Sequence, residues 1–318
     1  MGGRPCHSKG QDAACVKGHP KNVRKDGGDC AAGSPAGKHW PTPRRIWPRS
    51  RRIHNRSNLK MKDLIEKTLD EVLPAASERP TVLHEAMRYA VGSGGKRIRP
   101  LICMAAAEAV GGKAEDAKYP AAAIELLHNY TLVHDDLPAM DNDTERRGQP
   151  TVWAKYGEAN AILVGDALQA LAFAVAADAP RNVGGIIATL GVAGLGVVQG
   201  QVEDVEGQAS RVKVQGIDVD FVYVHKTADL FVAAAVMGGY AGGGTDDEID
   251  ALRKFALNLG LAFQYEDDLL DGDSPYSREK TELLVRETTK CAIDALSRLS
   301  GDTSHLSSIA TSLIGRKV

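Results

Sequence analysis

Two acidic clusters contain the residues of this chain whose types and spacing are best suited to chemistry. The first lies in HNYTLVHDDLPAMDNDTERRG, where Asp135, Asp136 and Asp141 fall within seven residues and are followed by Arg146 and Arg147. A second cluster lies far downstream, in FQYEDDLLD. Carboxylates beside guanidinium groups can simply neutralise one another, so it is the repetition of the acidic cluster that indicates a cation site.

The second cluster consists of Asp267, Asp268 and Asp271, which share one face of a predicted helix with Gln264. Carboxylates four residues apart on a helix repel each other unless a positive group lies between them. Magnesium takes oxygen ligands and usually bridges a few carboxylates to the phosphates of a substrate, and arginine forks bind phosphate oxygens. Acids and arginines together therefore indicate a ligand that carries both phosphate and magnesium, which we infer to be a diphosphate.

Two further segments carry cations at predicted helix starts. The first is KRIRP, which follows the glycine cluster GSGG and begins an apolar helix. Its Lys96 and Arg99, with the amides of the helix start, form either an anion cradle or only a solvated basic turn. The second is VHKTADLF, where Lys226 and Thr227 also suit phosphate oxygens.

The elements that must position these residues are predicted to be helices almost throughout. Apolar residues such as Leu252 and Phe255 recur at helical spacing in a helix predicted over residues 247–270. Another helix, over residues 121–136, carries His128, a position that is more often a satisfied core histidine than a ligand. Strand alternation, hairpin signals and internal repeats do not occur in the sequence. The pattern predicts an all-α, single-domain helical bundle with a central cavity between facing helices.

Charge divides the chain into a basic head and an acidic body. Residues 1–60 contain 14 Lys and Arg against 3 Asp and Glu and have no sustained periodicity, so we predict a disordered extension before a helical domain over residues 61–318. Three interpretations of the head stay open: a nucleic-acid arm, a transit peptide, or a start codon assigned upstream of Met61. Because no nucleic-acid-binding fold follows the head, we expect no nucleic-acid partner.

Cysteine spacing and hydropathy bear on the compartment. The five cysteines show neither the spacing of a zinc site nor a disulfide framework, so we expect a reducing, cytoplasmic setting. Two long uncharged runs, residues 183–198 and 230–245, are broken by glycines and are shorter than about 20 residues. We expect them to form buried core helices and no membrane span.

From about Met61 to Asp271, the chain resembles the polyprenyl (isoprenyl) diphosphate synthase family, and bacterial farnesyl diphosphate synthases most closely. The matching motifs, in family order, are GGKRIRP, DDLPAMD followed by RRG, GDALQALAF, GQ, HKT and FQYEDDLLD. The resemblance implies an isoprenoid-synthase-type bundle that forms homodimers. It also implies that magnesium-assisted ionisation joins isopentenyl diphosphate to an allylic diphosphate such as dimethylallyl or geranyl diphosphate.

The resemblance assigns roles to individual residues. Catalytic roles fall to Asp135, Asp136, Asp141, Asp267, Asp268 and Lys226. Roughly three magnesium ions bound with the allylic diphosphate would be held by Asp135, Asp141, Asp267 and Asp271. The allylic diphosphate itself would be contacted by Arg146, Lys226, Thr227 and Gln264. Isopentenyl diphosphate would be held by Lys96, Arg99, His128 and Arg147.

Product length is expected to depend on Tyr130 and the adjacent Thr131. Tyr130 lies five residues before Asp135, which is about 7.5 Å along a helix. In the family, a bulky aromatic at this position tends to stop growth near fifteen carbons, so we expect farnesyl diphosphate, with geranylgeranyl diphosphate as the alternative. The other interpretation is that Tyr130 merely packs in the core or in a dimer interface.

One segment departs from the family pattern. DGDSPYSREKTELLV passes almost directly from the second acidic cluster into a helix, whereas the family usually has a longer lid with further lysines. A noncatalytic regulatory subunit of a prenyl diphosphate synthase therefore stays an alternative. A terpene cyclase is a weaker one, because such enzymes usually have a single aspartate-rich cluster and lack a GGKRIRP-like site.

Overall fold

The computed structural model describes residues 56–209, 219–272 and 274–313, and these form a bundle of helices within one compact unit, Ile53–Val318. The helices are α1 Arg56–Val72, α2 Thr81–Gly92, α3 Ile98–Ala109, α4 Lys118–Asp135, α5 Val152–Tyr156, α6 Glu158–Ala176, α7 Val183–Ala209, α8 Val219–Val222, α9 Asp229–Gly242, α10 Asp246–Asp271, α11 Arg278–Ala295 and α12 Ser304–Leu313. The shorter elements are 3-10 turns at Ala114–Ala117 and Leu296–Arg298, a π-helical turn at Tyr223–Ala228, and strands β1 Glu145–Arg146 and β2 Gln149–Pro150.

The predicted all-α fold is confirmed, with three local differences. The first helix begins at Arg56, inside the stretch expected to be disordered, while residues 1–55 lie outside the described residues. The segment TVWAKYGEANAILVGDALQALAF, whose sequence predicts one helix, is divided into α5 and α6 at Gly157, whose φ of 87° interrupts the helix. The small antiparallel hairpin of β1 and β2 was not predicted, because two-residue strands are too short to show alternation.

Small residues allow the central helices to approach closely. A Cβ on Gly238 of α9 would lie 1.9 Å from the carbonyl oxygen of Cys103 in α3, so only glycine fits at that crossing. The neighbouring core is rich in fully buried alanines and is filled by larger side chains such as Phe231, Phe255 and Leu126. The abundance of Ala and Gly in the sequence favours this close packing of helices.

The two helices that end in the acidic clusters have well-defined termini. Helix α10 begins with a capping box, in which Thr245 and Glu248 satisfy each other's backbone amides. It ends at Gly272, whose left-handed φ of 76° stops the helix directly after Asp271. Helix α4 ends at Asp135, since Pro138 follows within one turn. Each acidic cluster therefore lies at the carboxyl end of a long helix.

The expectation that both uncharged runs are buried is wrong for α7. Val192 and Leu195 are 71% and 60% exposed, and Val198 and Val202 continue the same stripe at helical spacing. By length and composition alone α6, the Val183–Glu206 part of α7 and Val219–Gly242 could cross a membrane, and their most apolar windows are 39%, 39% and 56% buried. A helix that is apolar on all sides must be covered on more than one side. Sequence periodicity does not distinguish cover by the protein's own core from cover by a separate surface.

Candidate active site

The first acidic cluster consists of one buried carboxylate, Asp136, and two more accessible ones, Asp135 and Asp141. Asp136 is only 3% exposed, and its Oδ1 accepts a hydrogen bond from Nε of Arg146 at 2.7 Å and forms an ion pair with Nη2 at the same distance. Burial raises the pKa of Asp136, although the Arg146 hydrogen bond opposes this. Asp141 is exposed beyond the helix end, where its amide donates to the carbonyl of Asp135 at 2.9 Å. Asp136 therefore fixes Arg146, and Asp135 and Asp141 are the carboxylates available to a ligand.

Asp135 carries unfavourable charge in the absence of a ligand. Its pKa is raised to about 6, mainly by burial and also by the charges of Asp141 and Asp136, while Lys226 and Arg146 act in the opposite direction. Lys226 belongs to the π-helical turn, so this coupling shows that the HKT segment faces the first acidic cluster. A bound cation would stabilise the ionised form of Asp135.

The second acidic cluster is also organised by its inner residue. Asp268 is buried, and its carboxylate accepts hydrogen bonds from the Tyr223 hydroxyl and from Nε2 of Gln264 at 2.9 Å. The Oε1 of Gln264 accepts from the Thr227 hydroxyl at 2.8 Å. Asp271, the last residue of α10, is exposed. This chain of bonds fixes the end of α10 against the π-helical turn.

The π-helical turn presents Lys226 to a pocket of about 240 Å³. A Cβ on Gly200 of α7 would lie 2.5 Å from the Lys226 backbone nitrogen, so α7 packs directly against the widened turn. Lys226 Nζ donates to Asp204 of α7 at 2.5 Å. The pocket is lined by Asp204, Val222, Tyr223, Lys226, Thr227, Gln264 and Asp268.

Asp204 is a site residue that the sequence does not reveal, because the charges of GQVEDVEG are typical of a solvated helix face. It is instead half-buried against Lys226, which follows it by 22 residues in the chain, and no local pattern signals such a pair. The glycine-glutamine motif before it was the only cue. Gln201 is buried, and its Nε2 has no hydrogen-bond partner within the described part of the chain.

The predicted anion cradle contains two buried hydrogen-bond donors, one on Arg99 and one on His128. Arg99 Nη1 donates to Nε2 of His128 at 3.2 Å, so Nδ1 of His128 carries the proton. Burial, followed by the charge of Arg99, holds the pKa of His128 well below its usual value, and the ring is neutral. Neither Nδ1–H of His128 nor Nε–H of Arg99 has a hydrogen-bond partner among the described residues. Each such donor costs about 1–3 kcal/mol, and an anion would satisfy both.

Arg147 and Lys96 complete the cradle at the loop before α3. Arg147 donates to the carbonyl of Gly94, and it has a left-handed φ of 55°. The pKa of Arg99 is lowered to about 10, mainly by burial and also by the charge of Arg147, while Glu125 acts in the opposite direction. Lys96 is exposed and forms no ion pair with the residues the structure describes. The cradle thus concentrates positive charge beside one buried carboxylate, Glu125, whose charge acts on both Arg99 and Arg147.

The hairpin of β1 and β2 joins the cradle to the first acidic cluster. Arg146 lies in β1 and binds Asp136, while Arg147, the next residue, lies near Arg99. The hairpin is held from α2, because the Tyr89 hydroxyl donates to the carbonyl of Pro150 at 2.7 Å. Two successive arginines therefore lie in two neighbouring regions, one at the first acidic cluster and one at the loop before α3.

Tyr130 and Thr131 lie below the first cluster on different sides of α4. Tyr130 is buried, and its ring contacts His134 edge-on at 5.6 Å between centroids. His134 in turn packs against Gly165, so Tyr130 lies toward α6. Burial raises the pKa of Tyr130, and the charge of Asp135 adds to this, which agrees with a position near that carboxylate. The Thr131 hydroxyl donates to the His128 carbonyl at 2.8 Å.

The residues fit magnesium shared with a ligand better than a cage made of protein alone. Over the described ranges, no three Asp, Glu, His or Cys side chains converge closely enough to hold an ion. The candidate ligands are all carboxylates, at the ends of α4 and α10, with Lys226 coupled to the first cluster and lining the pocket of Asp268. Magnesium bound through one or two carboxylates plus substrate phosphates has this donor set.

The raised pKa of Asp135 gives a prediction for stability without metal. Since its pKa of about 6 exceeds the ordinary 3.8, ionised Asp135 destabilises the fold, and the penalty is relieved as pH falls from about 6 to about 4. We expect Asp135→Asn to raise the free energy of unfolding by about 1–3 kcal/mol at pH 7.5, and by less at pH 5. Urea titrations in the presence of a chelator measure this free energy, and Asp166→Asn, at an exposed position, is the control. Equal stability of Asp135→Asn and wild type at pH 7.5 would refute the conclusion that ionised Asp135 destabilises the fold.

Comparison with known proteins identifies the family to which the chain belongs. A family model described as polyprenyl synthetase matches residues 80–307, and the chain belongs to the polyprenyl synthetase family. It is 45% identical over 221 residues to the chloroplastic heterodimeric geranylgeranyl pyrophosphate synthase large subunit 1 of Arabidopsis thaliana, covering 66% of this chain and 58% of that protein. It is 45% identical over 216 residues to the chloroplastic geranylgeranyl pyrophosphate synthase of Capsicum annuum, covering 65% and 57%.

Solved structures extend the similarity to the whole bundle. The crystal structure of an FPP/GFPP synthase from Zymomonas mobilis aligns with a TM-score of 0.72 and 34% identity, covering 80% of this chain and 98% of that one. The chain spans less than two thirds of the length of the two plant relatives, 58% and 57%.

The relatives correct two expectations from the sequence. The expectation of a cytoplasmic protein is wrong, because the plant relatives are named as chloroplastic proteins. The motifs indicated bacterial farnesyl diphosphate synthases, yet the same relatives are named for geranylgeranyl pyrophosphate. They therefore favour the alternative product over the farnesyl product.

Proposed function

We propose that the protein is a prenyltransferase that joins isopentenyl diphosphate to an allylic diphosphate and makes geranylgeranyl diphosphate. The observation that carries the proposal is the pair of adjacent anion sites joined by Arg146 and Arg147. One site has cations and buried unsatisfied donors, and its neighbouring carboxylate Glu125 is already paired with Arg97, whereas the other combines Lys226 with two acidic clusters. A reaction between two diphosphates, only one of which binds with magnesium, requires this difference.

The residues act by holding two diphosphates in different states. In the cradle, Arg99, His128 and Arg147 would bind isopentenyl diphosphate without metal. In the other site, Lys226 and Thr227 would contact the allylic diphosphate, whose magnesium ions would be held by Asp135, Asp141, Asp267 and Asp271. Bound magnesium supplies stabilisation of the negative charge on the departing diphosphate.

Two later events also depend on the protein. The double bond of isopentenyl diphosphate attacks the allylic carbon, and a proton is then lost to the diphosphate that has just been released. Water must be excluded while the carbon centre is positive, and the apolar residues of α4 below Asp135 serve that purpose. Lys226 holds the released diphosphate near the proton it is to accept.

Product analysis tests the proposal. The full chain is given magnesium, isopentenyl diphosphate and, in turn, the allylic diphosphates of five, ten and fifteen carbons, and the product length is read by mass spectrometry. A twenty-carbon diphosphate that disappears on chelation would support the proposal. No condensation by folded protein would reject it and favour a noncatalytic subunit, the alternative suggested by the shortened lid.

A farnesyl product is the second candidate because of Tyr130. Its buried ring occupies space below Asp135 on the α6 side, where a growing chain of more than fifteen carbons would need room. The same product analysis separates the two candidates, since a fifteen-carbon end product from the five- or ten-carbon starter indicates that the Tyr130 ring limits growth.

We also propose that a second copy of the chain covers the exposed stripe of α7. Val192, Leu195, Val198 and Val202 follow one line along the helix and are 46% to 71% exposed. Burying apolar surface yields about 25 cal/mol per Å², and exposed apolar patches of this kind usually mark an interface. A homodimer related by a twofold axis would pair the stripe with itself.

Leu195→Asp is expected to convert the dimer to a monomer, because it introduces charge into the middle of the stripe. Sedimentation at micromolar concentration measures the change. The matched control is Leu283→Asp on α11, another exposed leucine, at 48%, away from the stripe, which should leave the dimer intact. A monomeric wild-type protein would refute the interface, and association only with lipid vesicles would assign the stripe to a membrane surface.

A further inference from the structure

Arg97 differs from the other cations of KRIRP because its guanidinium is almost fully hydrogen-bonded to other residues of the protein. It is 3% exposed, and its guanidinium forms a fork with Glu66 of α1, with Nε to Oε1 at 2.9 Å and Nη2 to Oε2 at 3.2 Å. Nη1 donates to Glu125 of α4 at 2.7 Å, and Nη2 also donates to the Val91 carbonyl at the end of α2 at 2.8 Å. A guanidinium so fully bonded has little capacity left for a ligand.

These bonds hold a loop whose backbone is unusual. Gly94, Gly95 and Arg97 have φ values of 88°, 144° and 52°, all in the left-handed half of the map. Arg97 is the only one of the three with a side chain, and a residue other than glycine persists there only where surrounding contacts determine it. The ion pairs of Arg97 supply those contacts. Arg97 lies between Lys96 and Arg99 in the chain, so the contacts act on the backbone that carries both of these cations.

We propose that Arg97 is a positioning residue for the isopentenyl diphosphate site, and that Glu66 of α1 is part of that site's framework. The inference rests on the function proposed above. Glu66 and Glu125 anchor the Arg97 side chain, the anchored residue fixes the loop at its left-handed turn, and the loop sets where Lys96 and Arg99 meet the ligand. Glu66 lies before residue 80, where the match to the family model begins, so the match does not include this anchor.

The direction in which one charge-removing substitution changes anion binding distinguishes a positioning role of Glu66 from a purely electrostatic one. If Glu66 mattered only through its charge, Glu66→Gln would remove a negative group from a cationic region and strengthen anion binding. If Glu66 anchors the loop, the same substitution weakens binding of isopentenyl diphosphate. Because Glu66 is 46% exposed at its side chain, its replacement is compatible with a folded protein.

The experiment measures binding of isopentenyl diphosphate to the full chain by calorimetry in the presence of a chelator. We expect Glu66→Gln to raise the dissociation constant by about 10-fold, the lower end of the roughly 10–100-fold loss seen when a partner that orients a binding side chain is removed. Arg97→Lys keeps the charge but loses the fork, so it should weaken binding similarly. Binding of a thio analogue of dimethylallyl diphosphate with magnesium should change less than about 2-fold in both variants.

The matched control is Asp70→Asn, one turn along α1 from Glu66. Asp70 accepts a hydrogen bond from Arg88 at 2.6 Å, so the control also removes one carboxylate and one arginine contact from the same helix. It should leave the dissociation constant for isopentenyl diphosphate unchanged. Melting temperatures of all the variants show whether stability follows binding.

Unchanged or tighter binding by Glu66→Gln would overturn the proposal, as would equal weakening of both ligands or an equal effect of Asp70→Asn. The outcome is distinct from failure of the proposed function. Wild-type protein that binds isopentenyl diphosphate but forms no product rejects the prenyltransferase and leaves the positioning role standing. Wild-type protein that binds no isopentenyl diphosphate overturns the cradle and with it the role of Arg97.

Discussion

Replacing Asp135 or Asp267 with alanine is expected to lower turnover by at least about 100-fold, the scale seen when one preorganised stabilising group is removed. Asp135 lies at the end of α4 with its pKa raised, first by burial, so a bound cation gains more there than at a solvated carboxylate. Asp267 lies at the corresponding end of α10, beside the fixed Asp268. Each should act on the step in which the allylic diphosphate departs.

Steady-state turnover with saturating substrates measures this effect, together with the dependence on magnesium concentration. The matched control is Asp250→Ala, an exposed carboxylate in the first two turns of α10, which should retain activity close to wild type. Folding is verified by circular dichroism. Turnover of either site variant within a few-fold of wild type would mean that the metal site is assigned to the wrong residues.

Tyr130→Ala is expected to lengthen the end product by at least one five-carbon unit. The substitution removes a buried ring below Asp135 and leaves space toward His134 and α6. Loss of a buried aromatic costs about 3–5 kcal/mol of stability, but the space it leaves is apolar and suits a hydrocarbon chain. We expect the product to become longer while the rate of the first condensation changes little.

Mass analysis of products from the ten-carbon starter measures the shift. Tyr119→Ala is the matched control, because Tyr119 lies on the same helix near its start, 11 residues before Tyr130, or about 16 Å along the axis. It should lower stability without changing product length. An unchanged product in Tyr130→Ala would assign the ring to core packing alone and place the limit on chain growth elsewhere.

Local sequence was sufficient to predict the helices that carry the acidic clusters. Periodic apolar residues and strong end signals determine α4 and α10 to within three residues at each end, because the chain itself contains the capping box at Thr245 and the stop at Gly272. The types of chemistry also followed from sequence, since carboxylates and arginines at these spacings have few alternative uses. The α5–α6 break and the short hairpin were missed because each depends on one or two residues.

Partners within the site were decided only by the tertiary structure. Nothing near Asp204 in the sequence indicates that it binds Lys226, and nothing near Asp136 distinguishes it from Asp135. Both distinctions arise when helices distant in sequence meet, and the pairing then determines which carboxylate faces the ligand. The same applies to Arg97, which looked like its neighbours in KRIRP until Glu66 and Glu125 were seen to surround it.

The sequence by itself determined the class of fold, the two acidic clusters and the cationic segments, because backbone periodicity and side-chain chemistry are local properties. Tertiary structure alone decided that His128 is neutral with an unpaired Nδ1–H, that Lys226 faces the first cluster, and that α7 exposes an apolar stripe. Burial and charge coupling depend on distances between elements far apart in the chain, and no local pattern contains those distances.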